Sequence, residues 1–265
     1  MKKIALALVA LFSTVGAFAQ KESITINDFT YTESVGETYA IAARNKVIEG
    51  LSNMARLEIT EANTDAGLAS KYILDGHVIS ITTTRQASEN GGYNYDAKVA
   101  YQLKVTDRNS QKLVANKTFE ASSSSLLSIH KTEVDAANAA IDNISTQLKN
   151  FVDEVFKLKG SIVEISEVKK DEAKTLYISI GSDNGILKGQ KLDVFVEKEV
   201  AGRTVSKLIG EVKVEAVEAG DLSLCKVTKG GKEINAAVNE GRNTSVVSKV
   251  NNNIFNKVNS NILGF

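Results

Sequence analysis

The sequence has no proline and no tryptophan, and only one cysteine and two histidines in 265 residues. A single cysteine excludes an intramolecular disulfide, and the apolar neighbours of Cys225 favour a buried thiol on a strand over a nucleophile. His77 and His130 lie too far apart for the paired spacings of zinc sites. We therefore expect no catalytic residue, no metal site and no cofactor, and a protein that is not an enzyme.

The sequence also has no excess of positive or negative side chains. Lysine and arginine together number 32, aspartate and glutamate also number 32, and the formal net charge is zero. A neutral chain gives no basic footprint for nucleic acid, so that class of partner is excluded. After residue 20, no run approaches the length of about 18 apolar residues that marks a membrane-spanning helix. No transmembrane segment is expected in the mature chain.

The first 20 residues show the pattern of a secretory signal peptide. Two lysines precede an apolar run at 4–12, and Ala17 and Ala19 supply the small side chains of a signal-peptidase site. This pattern predicts a signal peptide at 1–19 and cleavage between Ala19 and Gln20. Because position 20 is glutamine and not cysteine, no lipid anchor is expected there. The predicted location is the periplasm or the outer membrane of a Gram-negative bacterium, without lipidation.

Residues 20–158 show the pattern of an α/β sandwich-like domain with a mixed sheet, packed helices and a long antiparallel hairpin. The hairpin strands are predicted at 72–86 and 93–106, because alternate residues of the second strand are apolar or aromatic throughout. Helices are predicted where apolar residues recur at spacings of three and four, at 37–54 and 132–159. Shorter strands are expected at 24–29, 57–60 and 113–121.

Two of these elements have alternative interpretations. A tyrosine-rich alternating hairpin also occurs in membrane-spanning pores, although Asp75, His77 and Arg85 interrupt the apolar face of its first strand. The helix at 132–159 carries apolar residues at heptad spacing, which is typical of helices that pair with each other. Its apolar face is wider than a two-helix seam, which favours packing on its own sheet. We therefore expect a monomer or a weak homo-oligomer.

Residues 159–249 have a different pattern, and Gly160 marks the change. Short alternating segments are separated by glycine-rich turns, which predicts a small β-barrel domain and an α+β chain overall. The strands are predicted at 161–168, 175–180, 191–197, 208–218, 222–228 and 244–249. Residues 250–265 form an amphipathic tail, either docked or frayed.

The order of elements in the first domain resembles the periplasmic domain of curli-secretion-channel (CsgG-like) proteins and the N-terminal domain of TolB. The same fold occurs in outer-membrane activators of penicillin-binding proteins. Tyr72, Leu74, Gly76 and Val78 match the family pattern at the start of its central hairpin. The lipobox and the additional pore hairpin of the curli channel are missing, so the resemblance implies an accessory or scaffold protein more than a pore.

The second domain resembles the C-terminal domain of flagellar assembly protein T. That family has a strand, a turn of the form Gly-x-x-x-Gly-hydrophobic-x-x-Gly, a second strand, a variable hairpin and a Gly-x-hydrophobic-x-hydrophobic strand. Gly181, Gly185 and Gly189 match the turn, and 210–214 matches the last strand. The chain lacks the proline that is usual in the variable hairpin. Neither family has catalytic residues, and both imply binding to other proteins.

These observations lead to two functional hypotheses. The first is a non-enzymatic exported envelope protein that binds other envelope proteins as an accessory or scaffold in the assembly or secretion of a surface structure. The alternative is a module that recognises peptidoglycan or another glycan, or that activates a penicillin-binding protein. A glycan platform needs exposed aromatic side chains, and without tryptophan the candidates for an interaction surface are Tyr31, Tyr93 and Tyr95.

Overall fold

The structure is a computed structural model that describes residues 21–88, 91–124 and 129–249. The predicted cleavage site at Ala19 and Gln20 and the predicted tail at 250–265 lie outside these residues. The described chain is α+β and has two halves, each with its own sheet and hydrophobic core. None of the helices in the described part combines the length and the apolar character that crossing a membrane requires.

The first half is a mixed sheet with three helices packed on it. The sheet order is β3-β1-β4-β5-β6, with β2 beside β4; β3, β1 and β4 run parallel, and β4, β5 and β6 run antiparallel. Helices α1, α3 and α4 pack against each other and against the sheet. In chain order the elements are β1 Glu22–Ile26, β2 Thr30–Tyr31, α1 Glu37–Ser52, β3 Leu57–Thr60, α2 Asp65–Ala69, β4 Tyr72–Ala87, β5 Tyr93–Asp107, β6 Leu113–Ser122, α3 Glu133–Asp142 and α4 Ser145–Val155.

The hairpin β4–β5 carries the centre of this core. From Ala97 to Val105, every second side chain of β5 is at most 1% exposed, as the alternation predicts.

The interior includes a glycine that allows two helices to approach closely. A Cβ at Gly50 of α1 would lie 2.5 Å from Cδ1 of Leu148 on α4, so the leucine occupies the space that a larger residue would need.

The prediction of one helix over 132–159 is wrong, because the chain forms α3 and α4 with a break between them. Thr132 caps α3 by accepting the Asp135 N–H at 3.1 Å. At the break, the Asn143 side chain donates to the Ser122 carbonyl at 2.8 Å, and the Thr146 hydroxyl donates to the Asn143 carbonyl. Side chains that bond to nearby backbone compete with a continuous helix. The heptad spacing continues across the break because both helices bury the same face.

The second half is a seven-stranded antiparallel sheet of order β7-β13-β10-β11-β12-β9-β8. Only Ser161 separates β7 from β8, so one stretch of chain supplies both ends of the order. The sheet is therefore strongly curved, and its closure into a small barrel stays a prediction. The elements are β7 Lys159–Gly160, β8 Ile162–Lys169, β9 Glu172–Ile178, β10 Lys191–Val200, β11 Arg203–Val217, β12 Ser223–Lys229, α5 Gly231–Asn239 and β13 Thr244–Ser248.

Helix α5 was not expected in a half that is otherwise built of strands. It is a helix of nine residues that buries Ile234 and Ala237 against the second core. Gly230 precedes it with a φ of 74°, and a Cβ there would lie 1.9 Å from the Ile209 carbonyl oxygen. Only glycine fits this conformation and this contact. Two buried residues three positions apart are too few to distinguish a short helix from a turn in the sequence.

The two cores meet at a very short connection. Phe156 belongs to the first core and Leu158 to the second, which leaves Lys157 between them. The Leu158 N–H donates to the Ser248 hydroxyl at 2.9 Å, and the Ser248 N–H donates to the Leu158 carbonyl at 2.9 Å. Leu158 is thus tied to β13. The predicted boundary after residue 158 falls at this connection, and independent folding of the two domains stays a prediction.

Candidate functional site

A cleft of about 460 Å³ lies at the connection, where β1 and β3 of the first sheet begin. We call it the junction cleft. Both halves and the connecting residues contribute to its wall, which is mainly polar. The lining residues are Lys21, Glu22, Ser23, Arg56, Ala69, Lys71, Asn109, Phe156, Lys157, Leu158, Lys159 and Asn184.

Arg56 forms the rigid part of the wall. Its side chain is 10% exposed, and Nη1 lies 3.0 Å from Asp153 Oδ1 and donates to the Phe156 carbonyl at 3.2 Å. Burial lowers the pKa of the guanidinium, while the Asp153 carboxylate acts in the opposite direction. Because its donors already hold the end of α4 against the start of β3, Arg56 is a structural residue.

A second ion pair occupies the rim. Lys71 Nζ lies 2.8 Å from Glu22 Oε2, and the Lys71 N–H donates to the Ser23 hydroxyl at 3.0 Å. Burial lowers the pKa of Lys71, but the interactions with the Glu22 carboxylate and with Tyr72 together outweigh it, so the net pKa is raised. This pair ties β1 to the start of β4.

Three lysines of the junction cleft remain. Lys21, Lys157 and Lys159 are exposed, and none of them forms an ion pair with another described residue. The lining has five basic residues and one acidic residue, and Arg56 and Lys71 are balanced by Asp153 and Glu22. The cleft therefore keeps three uncompensated positive charges on a chain whose net charge is zero.

The second candidate site is a projecting two-stranded ribbon formed by the ends of β10 and β11, residues 198–206. Among the described residues its strands pair only with each other, since β13 pairs with β10 no further than Val196 and β12 pairs with β11 only from Glu211 onwards. Ala201 and Gly202 have φ angles of 51° and 73°, the left-handed conformation of a tight hairpin turn. All the side chains of the ribbon are exposed.

The ribbon carries apolar side chains into solvent. Val200 and Val205 are 49% and 48% exposed. They lie on the same face of the ribbon as Val196, because Val196 is paired with Lys207 and alternate residues share a face. Val196 itself is buried. The same face of the ribbon also carries Lys198 and Arg203, so the inner face of the sheet continues beyond the core as a mixed apolar and basic surface, without a covering element among the described residues.

A larger pocket of about 860 Å³ lies at the opposite end of the first sheet. Its polar groups bond to one another. Asn27 Nδ2 donates to Asp75 Oδ1 at 2.8 Å, and Arg44 donates to the carbonyls of Asn27 and Ile26 at 3.0 and 3.1 Å. These bonds hold α1 and β4 to the end of β1. The polar side chains of this pocket thus have a structural role, and we do not treat it as a candidate site.

The residues with reactive side chains are dispersed. Cys225 is buried on β12, and burial raises the pKa of its thiol to about 12. His77 Nδ1 lies 2.8 Å from the Thr30 hydroxyl, and the His130 carbonyl accepts the Tyr95 N–H. Within the described ranges, no group of three or more histidine, cysteine, aspartate or glutamate residues could hold a metal ion.

The three tyrosines do not form one surface. Tyr31 pairs with Val78 of β4, whereas Tyr95 pairs with Arg85, seven positions further along that strand. At the rise of an extended strand this is a separation of roughly 23 Å. The Tyr93 ring is stacked on Arg85 at 4.2 Å, and Tyr95 packs against the first core. Tyr31 and Tyr93 are exposed but separate.

The sequence did not identify either of the two candidate sites. Periodicity predicts strands that end at 197 and begin again at 208 with a turn at Ala201 and Gly202, and only the resemblance to flagellar assembly protein T implies a hairpin in this region. The signal for it in the sequence is the turn dipeptide Ala201-Gly202 between two short segments that contain Val200 and Val205. The lysines of the junction cleft come from distant parts of the chain, and only the fold brings them together.

No protein-family model and no curated protein matches the chain. Solved structures resemble about half of it. A hypothetical protein of Chlamydia trachomatis is 12% identical with a TM-score of 0.34, and the match covers 51% of this chain and 94% of that one. A protein of Xanthomonas campestris is 14% identical with a TM-score of 0.35, covering 51% and 86%.

A third similar structure is PelC of Paraburkholderia phytofirmans, which was crystallised as a dodecamer. It is 12% identical with a TM-score of 0.33, and the match covers 49% of this chain and 89% of that one. All three TM-scores are low, so these similarities carry no argument about the function or the assembly of this chain.

Proposed function

We propose that the chain is a non-enzymatic, exported envelope protein that binds another envelope protein through the ribbon of its second half. In this role it serves as an accessory or scaffold in building or secreting a surface structure. The proposed location is the periplasm or the outer membrane, without a lipid anchor. The relationship to CsgG-like proteins and to flagellar assembly protein T remains part of the proposal.

The observation that carries the proposal is the ribbon. A hairpin of two strands is only marginally stable in water unless a third strand or another layer covers it. This one extends from the sheet with Val200 and Val205 exposed and with both outer edges unpaired among the described residues. A partner that covers it gains apolar contacts and main-chain hydrogen bonds together.

The chemistry of the ribbon favours a protein partner. Unpaired strand edges present N–H and carbonyl groups at the spacing of another extended chain, which is the basis of recognition by strand addition. Lys198 and Arg203 lie on the same face as Val200 and Val205, so that surface also discriminates partners by charge. The glycan alternative is less well supported, because Tyr31 and Tyr93 do not form one aromatic platform.

The test is a shortened ribbon. Val196 and Lys207 are direct cross-strand partners, and their pair is of the hydrogen-bonded type that a two-residue turn closes, because the Glu197 N–H points away to the Asn243 carbonyl. Residues 197–206 can therefore be replaced by Asn-Gly without a change of register. The full-length protein, gently extracted from the envelope of its native host, should elute from a sizing column in a complex larger than the free chain. The shortened variant should elute as the free chain.

The matched control shortens the other long hairpin. Gln86 and Asn94 are also direct partners, and replacing 87–93 by Asn-Gly removes Tyr93 and the tip of β4–β5. This variant should remain in the complex. If it leaves the complex and the ribbon variant does not, the tyrosine surface and not the ribbon is the binding site, and the proposal is wrong.

A further inference from the structure

We propose that the junction cleft binds a compact polyanion that carries phosphate groups. This site is separate from the ribbon and independent of the function proposed for it. The inference rests on the three uncompensated lysines Lys21, Lys157 and Lys159 and on where the fold places them.

The position of the lysines distinguishes them from an ordinary solvated surface. Elsewhere basic and acidic residues are interspersed, as on the ribbon, where Lys198 stands between Glu197 and Glu199. In the cleft, Glu22 is the only acidic lining residue, and Lys71 already pairs with it at 2.8 Å. Like charges in a concave wall of low dielectric constant reinforce one another's field and raise the local concentration of anions.

The type of basic group indicates which anion fits. Planar carboxylates are best bound by the fork of an arginine, but the Arg56 side chain is 10% exposed and its Nη1 already bonds to Asp153 and the Phe156 carbonyl. The available groups are ammonium ions on flexible stems, which bind phosphate as point charges from several directions. Ser23 and Asn109 add neutral polar groups to the same wall.

The size of the cleft limits the ligand. A volume of about 460 Å³ lies in the range of small-molecule sites, roughly 300–1,000 Å³. It accommodates a sugar phosphate, a diphosphate or the headgroup of a phospholipid. Lys21 precedes the first sheet, Lys159 belongs to the second, and Lys157 connects them, so a bound polyanion joins the two halves and removes the repulsion between the lysines.

The test uses sodium pyrophosphate as the free phosphate probe and vesicles of phosphatidylglycerol as the lipid source, each at constant ionic strength. Calorimetry with pyrophosphate and co-sedimentation with vesicles are measured on the wild type and on the double variant Lys157→Gln/Lys159→Gln. The control is Lys198→Gln/Lys207→Gln, which removes the same charge from exposed lysines of β10 and β11. Circular dichroism establishes that all three proteins are folded.

We expect at least a tenfold weaker affinity for the cleft variant and less than a twofold change for the control. Pyrophosphate binding identifies a soluble phosphate ligand, and binding to anionic vesicles alone identifies a lipid headgroup. Equal weakening in both variants would show only a general charge effect and would overturn the site. The absence of binding to both probes by the wild type would overturn it as well.

Discussion

Leu148 shows that helix α4 packs within its own half of the chain and not against a second protein. It is fully buried, and its Cδ1 occupies the space beside Gly50 of α1. Residues with the same spacing, Ile141, Ile144 and Phe151, are also buried in the first core. The heptad pattern is therefore occupied by the chain's own packing and leaves little apolar surface for a second helix.

Leu148→Asp should unfold the first half. Removing a buried leucine side chain costs about 2–5 kcal/mol, and an unpaired carboxylate in its place adds to that cost, against a total stability of about 5–15 kcal/mol. Leu187→Asp is the control, since Leu187 is 56% exposed and should change stability by less than about 0.5 kcal/mol. Urea unfolding followed by circular dichroism measures both. A folded, monomeric Leu148→Asp protein would show that the helix is an interface.

Glu211 makes the stability of the second half depend on pH. Its carboxylate is 7% exposed and accepts hydrogen bonds from Lys249 Nζ and the Thr228 hydroxyl, both at 2.9 Å. These bonds lower the pKa of Glu211 from 4.5 to about 2. Because the pKa is lowered on folding, the carboxylate stabilises the fold above pH 4.5, and this contribution is lost as the pH falls towards 2.

Glu211→Gln should therefore reduce the loss of stability between neutral and acidic pH, measured as the shift of the urea midpoint from about pH 6 to about pH 3. Glu199→Gln is the control, because Glu199 is exposed on the ribbon and its change should leave the shift as it is in the wild type. The same shift in Glu211→Gln and in the wild type would contradict the assignment.

At the scale of elements, the spacing of apolar residues predicted correctly which side chains of a strand or helix are buried. It did not predict where a helix is interrupted by side chains that bond to the backbone. The alternation of apolar and polar residues in β5 predicted correctly that this segment is a strand and which of its faces is buried. It did so because helices cover one face of the strand along much of its length. The break at Asn143 depends on a bond to Ser122, a residue from another element, and the sequence around 143 does not reveal it. The short helix α5 was missed because tertiary contacts of Ile234 and Gly230 define it.

Shortening the ribbon should leave the fold intact. Its cross-strand pairs have no third strand and its side chains are exposed, so replacing 197–206 by Asn-Gly should change the free energy of unfolding by less than about 1 kcal/mol. Circular dichroism during urea unfolding measures the difference. A loss of more than about 3 kcal/mol would mean that the ribbon belongs to the core structure, and its proposed role in binding would then be unnecessary.

For the whole molecule, the sheet edges favour a chain that does not assemble with itself. The edge strand β3 has four residues, and short edges resist pairing. At the other edge, Lys117 of β6 pairs with Glu154 of α4, which places a charge on the helix-covered side of the strand. Inward-pointing charges on edge strands also oppose strand addition. Both edges of the first sheet are thus protected, whereas both outer edges of the ribbon are unpaired among the described residues.

The purified mature chain should therefore be a monomer or a weak oligomer. Static light scattering over a range of concentrations should give a mass close to that of one chain, which is 28.5 kDa before removal of the predicted signal peptide. A discrete ring of many chains at low concentration would contradict this prediction and would restore the pore interpretation of the long hairpin.

The central claim is that the ribbon contacts another envelope protein, and site-specific photo-crosslinking in the native host tests it directly. A photoreactive residue replaces Val205 on the ribbon and, in a second strain, Val163 on β8, whose exposed fractions are 48% and 54%. We predict a discrete protein adduct from position 205 after irradiation and none from position 163. No adduct from position 205, or equal adducts from both positions, would contradict the account.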